Sequence, residues 1–201
     1  MDSFSKIKKD FYQKKILVFG LGLQGGGLQT VTFFSTLGNE VRVSDLKDAQ
    51  QLEPSVRALS SYPNVSFVLG EHRFCDIDWA DIIIPNPGMR FDSPYLIYAQ
   101  EHHKEIHLEI GLFLKYTPAT IIGITGTRGK STTTNLVYSI LKENLSTNVF
   151  LAGNIPQQTA ISLLNRANKN DIVVLELSSW QLHGVLYDKV SPHIAVFTNI
   201  Y

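Results

Sequence analysis

Short apolar runs rich in β-branched residues recur along the chain at 15–20 (KILVFG), 40–44 (EVRVS), 65–69 (VSFVL) and 81–85 (DIIIP), separated by longer amphipathic or mixed stretches. Runs of this length with little alternation suit strands buried on both faces, and the spacing between them leaves room for crossover helices. A parallel α/β sheet is therefore expected, with 106–108 (IHL) as a fifth strand. Thr117-Pro118-Ala119 then breaks the pattern. A second cycle opens with a strand at 120–125, a glycine-rich turn and a helix at 131–143, followed by strands at 148–151, 171–175 and 193–198. Two domains follow from this, 1–117 and 118–201. Four strand signals are few for a sheet covered on both faces, so the second domain is expected to be partial, with an unpaired edge that opens locally and invites self-association.

The turn at the head of the second cycle is Gly123-Ile-Thr-Gly-Thr-Arg-Gly-Lys-Ser131. A glycine-rich turn between a strand and a helix aims backbone N–H groups and the helix dipole at phosphate oxygens. Lys130 would reach the outer phosphates and the Ser131 hydroxyl would hold Mg²⁺. The strict G-x-x-x-x-G-K-[ST] spacing is missed by one place, since Ile124 stands where the first glycine belongs, between Gly123 and Gly126. Glu176 ends the apolar strand 171–175, where an acid beside such a loop binds Mg²⁺ directly or through water, or else caps the next turn. Ser178-Ser179-Trp180-Gln181 follows with hydroxyls and an amide, Trp180 being expected to pack.

Gly20-Leu-Gly-Leu-Gln-Gly25 fits G-x-G-x-x-G after the first strand, and Asp45 lies twenty residues beyond it at the end of the second. The pattern lets a pyrophosphate approach the backbone while the acid binds a ribose or base, so a nicotinamide-dependent oxidoreductase is one reading and any nucleoside diphosphate ligand is another. Asn86-Pro87-Gly88 and Gly153-Asn154-Ile155-Pro156 each follow a strand, where ligands bind in open α/β sheets and where ordinary turns also form. His102, His103 and His107 are read as a solvated helix end rather than a metal site, and Cys75 has no partner for a disulfide.

Composition narrows the partners. The 201 residues carry 18 basic and 18 acidic side chains, so no excess charge favours a nucleic acid or an anionic membrane surface. No apolar run reaches the length of a membrane span, and the charged N-terminus with a single cysteine points to the cytoplasm.

Taken together, these motifs resemble the Mur ligases, ATP-dependent amide-forming enzymes of peptidoglycan synthesis. The Thr-Gly-Thr-x-Gly-Lys-Ser loop is shared, and Glu176-Leu-Ser-Ser-Trp-Gln-Leu182 is similar to the segment of the D-glutamate-adding branch. Gly20–Gly25, Asn86–Gly88, the Glu109–Phe113 segment and Gly153–Ile155 follow in the same order. The resemblance implies a Rossmann-like first domain that binds UDP-N-acetylmuramoyl-L-alanine through Gly22, Leu23, Gln24, Gly25, Asp45, Asn86, Pro87 and Gly88. It implies that Gly126, Thr127, Arg128, Gly129, Lys130, Ser131 and Thr132 bind ATP in a phosphate-loop domain. Lys130 and Glu176 are the implied catalytic residues, Ser131 and Glu176 the Mg²⁺ ligands, and Asn154, Ser178 and Gln181 face the muramoyl-alanine end. Gln24 stands where Ser or Thr is usual and Arg128 where Asn is usual. The family continues into an Asp-His segment, a carbamylated lysine and a third domain, so the chain is expected to be an N-terminal fragment that binds but does not join D-glutamate. A non-catalytic UDP-sugar binding module is the remaining alternative.

Overall fold

Each β-branched run forms a strand, and every strand pairs in parallel with its neighbours in one of two sheets. The computed structural model describes residues 3–22, 26–155 and 158–201. Contacts divide the chain into two units, one spanning Ile7–Glu109 and the other joining the residues up to Lys6 to Ile110–Tyr201.

In the first unit, β1 (Lys15–Phe19), β2 (Glu40–Asp45), β3 (Val65–Leu69), β4 (Ile82–Pro85) and β5 (Glu105–Ile106) lie in the order β3-β2-β1-β4-β5. The chain winds outward from β1 through β2 to β3, then returns to the other side of β1 for β4 and β5. That reversal opens a crevice at the carboxyl ends of β1 and β4, where sheets of this kind take ligands. Ile16, Leu17, Val18 and Phe19 are all buried, as a central strand covered on both faces requires. Helix α1 (Ser3–Asp10) precedes them, and helix α2 (Gly26–Thr36) packs Val31, Phe33 and Phe34 onto the sheet. Burying a ring such as Phe34 contributes about 2–3 kcal/mol. The approach is so close that a Cβ on Gly27 would collide with the carbonyl oxygens of Gly20 and Leu21. Helices α3 (Glu53–Leu59), α4 (Phe74–Trp79) and α5 (Pro94–Glu101) complete the unit.

A charged clamp ties β2 to α4. Asp76, with its side chain 0% exposed, accepts hydrogen bonds from Arg42 at 2.7 Å and from Arg73 at 2.9 Å, and the Arg42 guanidinium lies 4.0 Å over the Trp79 ring. Burial alone would push the Asp76 carboxyl up, but the two arginines outweigh it and hold the group below the usual carboxylate range.

The second unit begins with helix α6 (Glu109–Tyr116) and builds a four-stranded sheet from β6 (Thr120–Thr125), β7 (Val149–Gly153), β8 (Ile172–Glu176) and β9 (Ile194–Phe197), ordered β7-β8-β6-β9. Helix α7 (Lys130–Asn144) sets Val137, Tyr138 and Leu141 against Ile124, Val149 and Val174, while Leu136 and Ile140 on its other side are 59% and 52% exposed. Helix α8 (Ser179–Asp188) connects β8 to β9. Burial is uneven across this sheet. Val173, Val174 and Leu175 of β8 are buried, whereas Phe197 on the edge strand β9 is 58% exposed.

Two local expectations are corrected. The strand expected at 106–108 is Glu105–Ile106, because only Glu105 and Ile106 register with β4. His107 is not part of a solvated helix end. It is buried, its Nε2 lies 2.8 Å from Glu105 Oε1, and its ring leans on Phe11, whereas His102 and His103 do lie at the exposed end of α5.

Candidate functional site

The crevice of the first unit is a cavity of about 620 Å³ that brings Gly22, Asp45, Asn86 and Gly88 together. Leu23, Gln24 and Gly25 lie outside the described residues, and Pro87 follows Asn86 without lining the cavity. Asp45 is buried at the end of β2, and its carboxylate accepts the backbone N–H of Leu21 at 2.8 Å, of Gly22 at 3.4 Å and of Lys47 at 2.9 Å. The acid therefore fixes the start of the glycine turn from beneath. Asn86 closes the other wall. Its N–H donates to the Phe19 carbonyl at 2.7 Å and its Oδ1 accepts the Gly88 N–H at 2.9 Å, a turn that holds the chain after β4 against the end of β1. Sequence reasoning missed the outer wall of this cavity, which includes Phe19, His72 and Tyr95. An apolar strand end followed by aromatic residues after β3 and β4 is the only sequence signal for it.

In the second unit the turn after β6 carries the phosphate-loop candidates. Gly126 has a φ of 140° and its missing Cβ leaves room for Thr198 Oγ1, while Gly129 caps α7 in the left-handed conformation with no side-chain cap. The first amides of α7, from Lys130 through Thr132, thus start a helix whose N-terminal N–H groups have no acceptor within the helix. Lys130 Nζ donates to the Gly126 carbonyl at 2.8 Å and the Thr127 carbonyl at 3.3 Å, folding over the loop it belongs to. Ser131 is exposed on the first turn.

The loop is braced by the segment that follows β9. Thr198 Oγ1 donates to the Arg128 carbonyl at 2.7 Å, the Asn199 side chain accepts the Arg128 N–H at 2.9 Å and donates to the Arg128 carbonyl at 3.2 Å, and the Asn199 carbonyl accepts the Thr127 N–H at 2.9 Å. Nothing in the sequence patterns marked Thr198 and Asn199, because their partners lie some seventy positions earlier.

Glu176 reaches this site through sheet register. It sits opposite Ile124 of β6 and Gly153 of β7, so the acid ends the central strand between the phosphate loop and the Asn154 turn. Its side chain is buried and accepts the Asn154 Nδ2 donor at 3.0 Å. Among the described residues no group of three His, Cys, Asp or Glu side chains could itself hold a metal ion. A carboxylate and a hydroxyl are hard oxygen donors that fit Mg²⁺ when phosphates and water supply the other ligands.

Ser178 and Gln181 have a structural occupation. Ser178 is the N-cap of α8, and the two form a capping box in which the Ser178 N–H donates to Gln181 Oε1 at 2.9 Å. The Ser-x-x-Gln spacing is itself the signature of that box. Trp180 does not pack as expected. It stands on the first turn of α8 with 46% of its surface exposed, its ring 6.4 Å from that of His183, while the neighbouring Gln181 is buried. No helix among the described residues is long and apolar enough to cross a membrane.

With this geometry, residues 14–107 match the family described as Mur ligase MurD-like, N-terminal domain, and residues 124–201 match the Mur ligase middle domain. The chain is 40% identical over 187 residues to the UDP-N-acetylmuramoylalanine-D-glutamate ligase of Roseiflexus sp. (strain RS-1), covering 93% of this chain and 40% of that protein. It is 38% identical over 197 residues to the ligase of the same name from Clostridium acetobutylicum, covering 98% and 41% respectively. Among solved structures it is similar to the UDP-N-acetylmuramate-alanine ligase MurC of Thermotoga maritima, with a TM-score of 0.55 and 25% identity over 93% of this chain and 41% of that one. The chain thus spans about 40% of the length of the curated relatives it matches. Two domain matches in the expected order, over parallel sheets with a glycine turn at the head of each, establish that the chain belongs to the Mur ligase family.

Proposed function

We propose that this chain contributes the UDP-substrate site and the start of the nucleotide site of an ATP-dependent ligase that adds D-glutamate to UDP-N-acetylmuramoyl-L-alanine. The observation that carries the reading is the cavity of the first unit together with the glycine-rich lysine loop that starts α7, in one chain whose curated relatives are named as D-glutamate ligases. A simple dehydrogenase has no use for the second loop. Residues 1–117 serve the UDP end, through the Asp45-anchored turn and the Asn86–Gly88 wall, and residues 118–201 serve ATP. A cytoplasmic setting belongs to the same proposal.

The chemistry joins a carboxylate to an amine. ATP transfers its γ-phosphoryl group to the substrate carboxylate, the D-glutamate amine attacks the acyl phosphate, and inorganic phosphate leaves. Two anions must approach each other in the first step, so cationic and N–H groups aimed at the transferred group lower the barrier. Lys130 leaves the Gly126 and Thr127 carbonyls to meet the outer phosphates, and the first-turn amides of α7 hold the rest. Ser131 and Glu176 would hold Mg²⁺, which would supply positive charge to offset that of the phosphates. Asn154 keeps the Glu176 carboxylate oriented through its amide.

Calorimetry tests both halves. UDP-N-acetylmuramoyl-L-alanine or UDP is expected to bind more tightly than NAD, and preferential NAD binding overturns the reading. Lys130→Ala is expected to weaken Mg²⁺-ATP binding by about 2–3 kcal/mol, the worth of hydrogen bonds to a charged group. An unchanged affinity means that the loop serves the fold alone.

A further inference from the structure

Among the described residues strand β9 pairs only with β6, and its own side chains do little to fix where along β6 it sits, since Ile194 and Phe197 are both exposed. Side chains of a strand alternate between its faces, so a slip of two positions would keep each of them on its face and would carry the residues after β9 about 7 Å along the sheet. That distance matters at Thr198 and Asn199. They hold the phosphate loop through the Thr127 N–H and through both backbone groups of Arg128. The register of β9 therefore sets the loop, and something other than burial must set the register.

Two contacts at the entry to β9 do so. Pairing of the two strands runs from Ile122 opposite Ile194 to Thr125 opposite Phe197, which leaves Ile121 one position before it. The Ile121 N–H donates to Nδ1 of His193 at 3.0 Å, the imidazole standing in for a ladder carbonyl. An N–H can only donate, so Nδ1 is the bare nitrogen and the ring proton sits on Nε2. One residue earlier the Pro192 ring lies against Gly123, where a Cβ would collide with Pro192 Cγ. Both contacts belong to one register. After a slip of two positions the Pro192 ring would meet the side chain of Ile121 or Thr125 instead of the bare glycine, and the Ile121 N–H would lose its acceptor.

We propose that His193 is a positioning residue of the phosphate loop, its Nδ1 and the Pro192–Gly123 contact locking β9 in the register that delivers Thr198 and Asn199 to Arg128. Its consequence for ligand binding rests on the nucleotide reading of the loop. The test combines hydrogen exchange with Mg²⁺-ATP calorimetry on the 201-residue chain and on His193→Leu, His193→Asn and Gly123→Ala. In His193→Leu the Thr127 and Arg128 amides are expected to exchange about tenfold faster while Val174 in β8 is unchanged, and Mg²⁺-ATP affinity is expected to fall by a similar factor, as the loss of one hydrogen bond allows. His193→Asn, whose side-chain oxygen can take the place of Nδ1, is expected to restore both, a rescue that a histidine which merely fills space would not show. Gly123→Ala is expected to reproduce the loop effect by displacing Pro192. Wild-type exchange at Thr127 and Arg128 in His193→Leu overturns the proposal, and so does a His193→Asn protein no better than His193→Leu. Failure of the wild-type chain to bind Mg²⁺-ATP overturns the nucleotide reading instead, and exchange at the loop amides still decides the lock. Where His193→Leu loses its cooperative thermal transition, Gly123→Ala decides, since loop amides that exchange as in wild type overturn the proposal.

Discussion

In both units glycines follow the first central strand and precede a helix, yet the two segments are anchored by opposite chemistry. In the first, a buried carboxylate takes the N–H groups of Leu21 and Gly22, so negative charge and satisfied amides stand at the root of the turn. In the second, Thr198 and Asn199 occupy the carbonyl of Arg128, and the loop carries a lysine. A turn built on a carboxylate favours a partner that donates hydrogen bonds, such as a ribose hydroxyl. One whose carbonyls are already taken and whose helix N–H groups point outward favours phosphate oxygens. Glycine spacing by itself says that a backbone can come close to a ligand; the anchoring side chains say what the ligand offers.

Substitutions at the anchors can break this contrast. The largest effect is expected at the arginine clamp of the first unit, where Asp76→Ala leaves Arg42 half-buried without its anion and is expected to cost about 3–5 kcal/mol in denaturant unfolding. The same group sets an acid limit. The folded-state pKa of Asp76 is depressed, so its contribution is full above the unfolded carboxylate value of about 4 and is lost as pH falls through the folded value. Asp76→Asn is expected to flatten the loss of stability below roughly pH 4 relative to wild type. An identical acid limb in both proteins rejects the clamp as its source.

Next in size is Asp45→Ala, which strips the Leu21 and Gly22 amides of their acceptor and is expected to cost about 2–3 kcal/mol. Hydrogen exchange should then quicken at those amides while β8 stays protected. Uniform exchange across both units would count against a local anchor. A smaller effect, about 1–2 kcal/mol, is expected for Asn199→Asp, which keeps the acceptor for the Arg128 N–H but sets a carboxylate against the Arg128 carbonyl. Stability no lower than that of Asn199→Ala would show that the brace depends on the backbone alone. Smallest is Ser178→Ala, expected to cost about 1 kcal/mol through the lost cap of α8. A far larger fall in substrate affinity than in stability would assign Ser178 to the ligand.

What could be read from the sequence depended on the range of the forces involved. Strand positions came through because runs such as Ile82–Ile84 and Val173–Leu175 are apolar throughout, and that pattern is local. Glu176 was legible for the same reason, as the first acid after such a run. The anchors were not. Asp45 was read as a ribose ligand because its distance from the turn fits a fingerprint, but its contact with Leu21 depends on the close approach of β2 to β1. Ser178 was read toward substrate, and its further role as the cap of α8 was missed although the spacing to Gln181 was present. His107 looked solvated beside His102 and His103 until Glu105 and Phe11 were found around it. Polar contacts across the sheet leave no periodicity, so the cavity wall of His72 and Tyr95 was marked only by the aromatic residues that follow β3 and β4.

The brace on the phosphate loop also carries a consequence for how the protein is made. Asn199 and Thr198 meet Arg128 across sequence separations of 71 and 70 residues, and the loop geometry depends on both. On the ribosome, β6 and α7 emerge long before those partners are synthesised. The first unit has all five of its strands by then and can close its sheet. The nucleotide loop acquires its shape only after residue 199 has cleared the exit tunnel, since contacts of long sequence separation form last. The loop therefore takes its braced shape later than the first unit closes its sheet, and stalled products that stop before Thr198 would carry a folded first unit beside an unbraced loop.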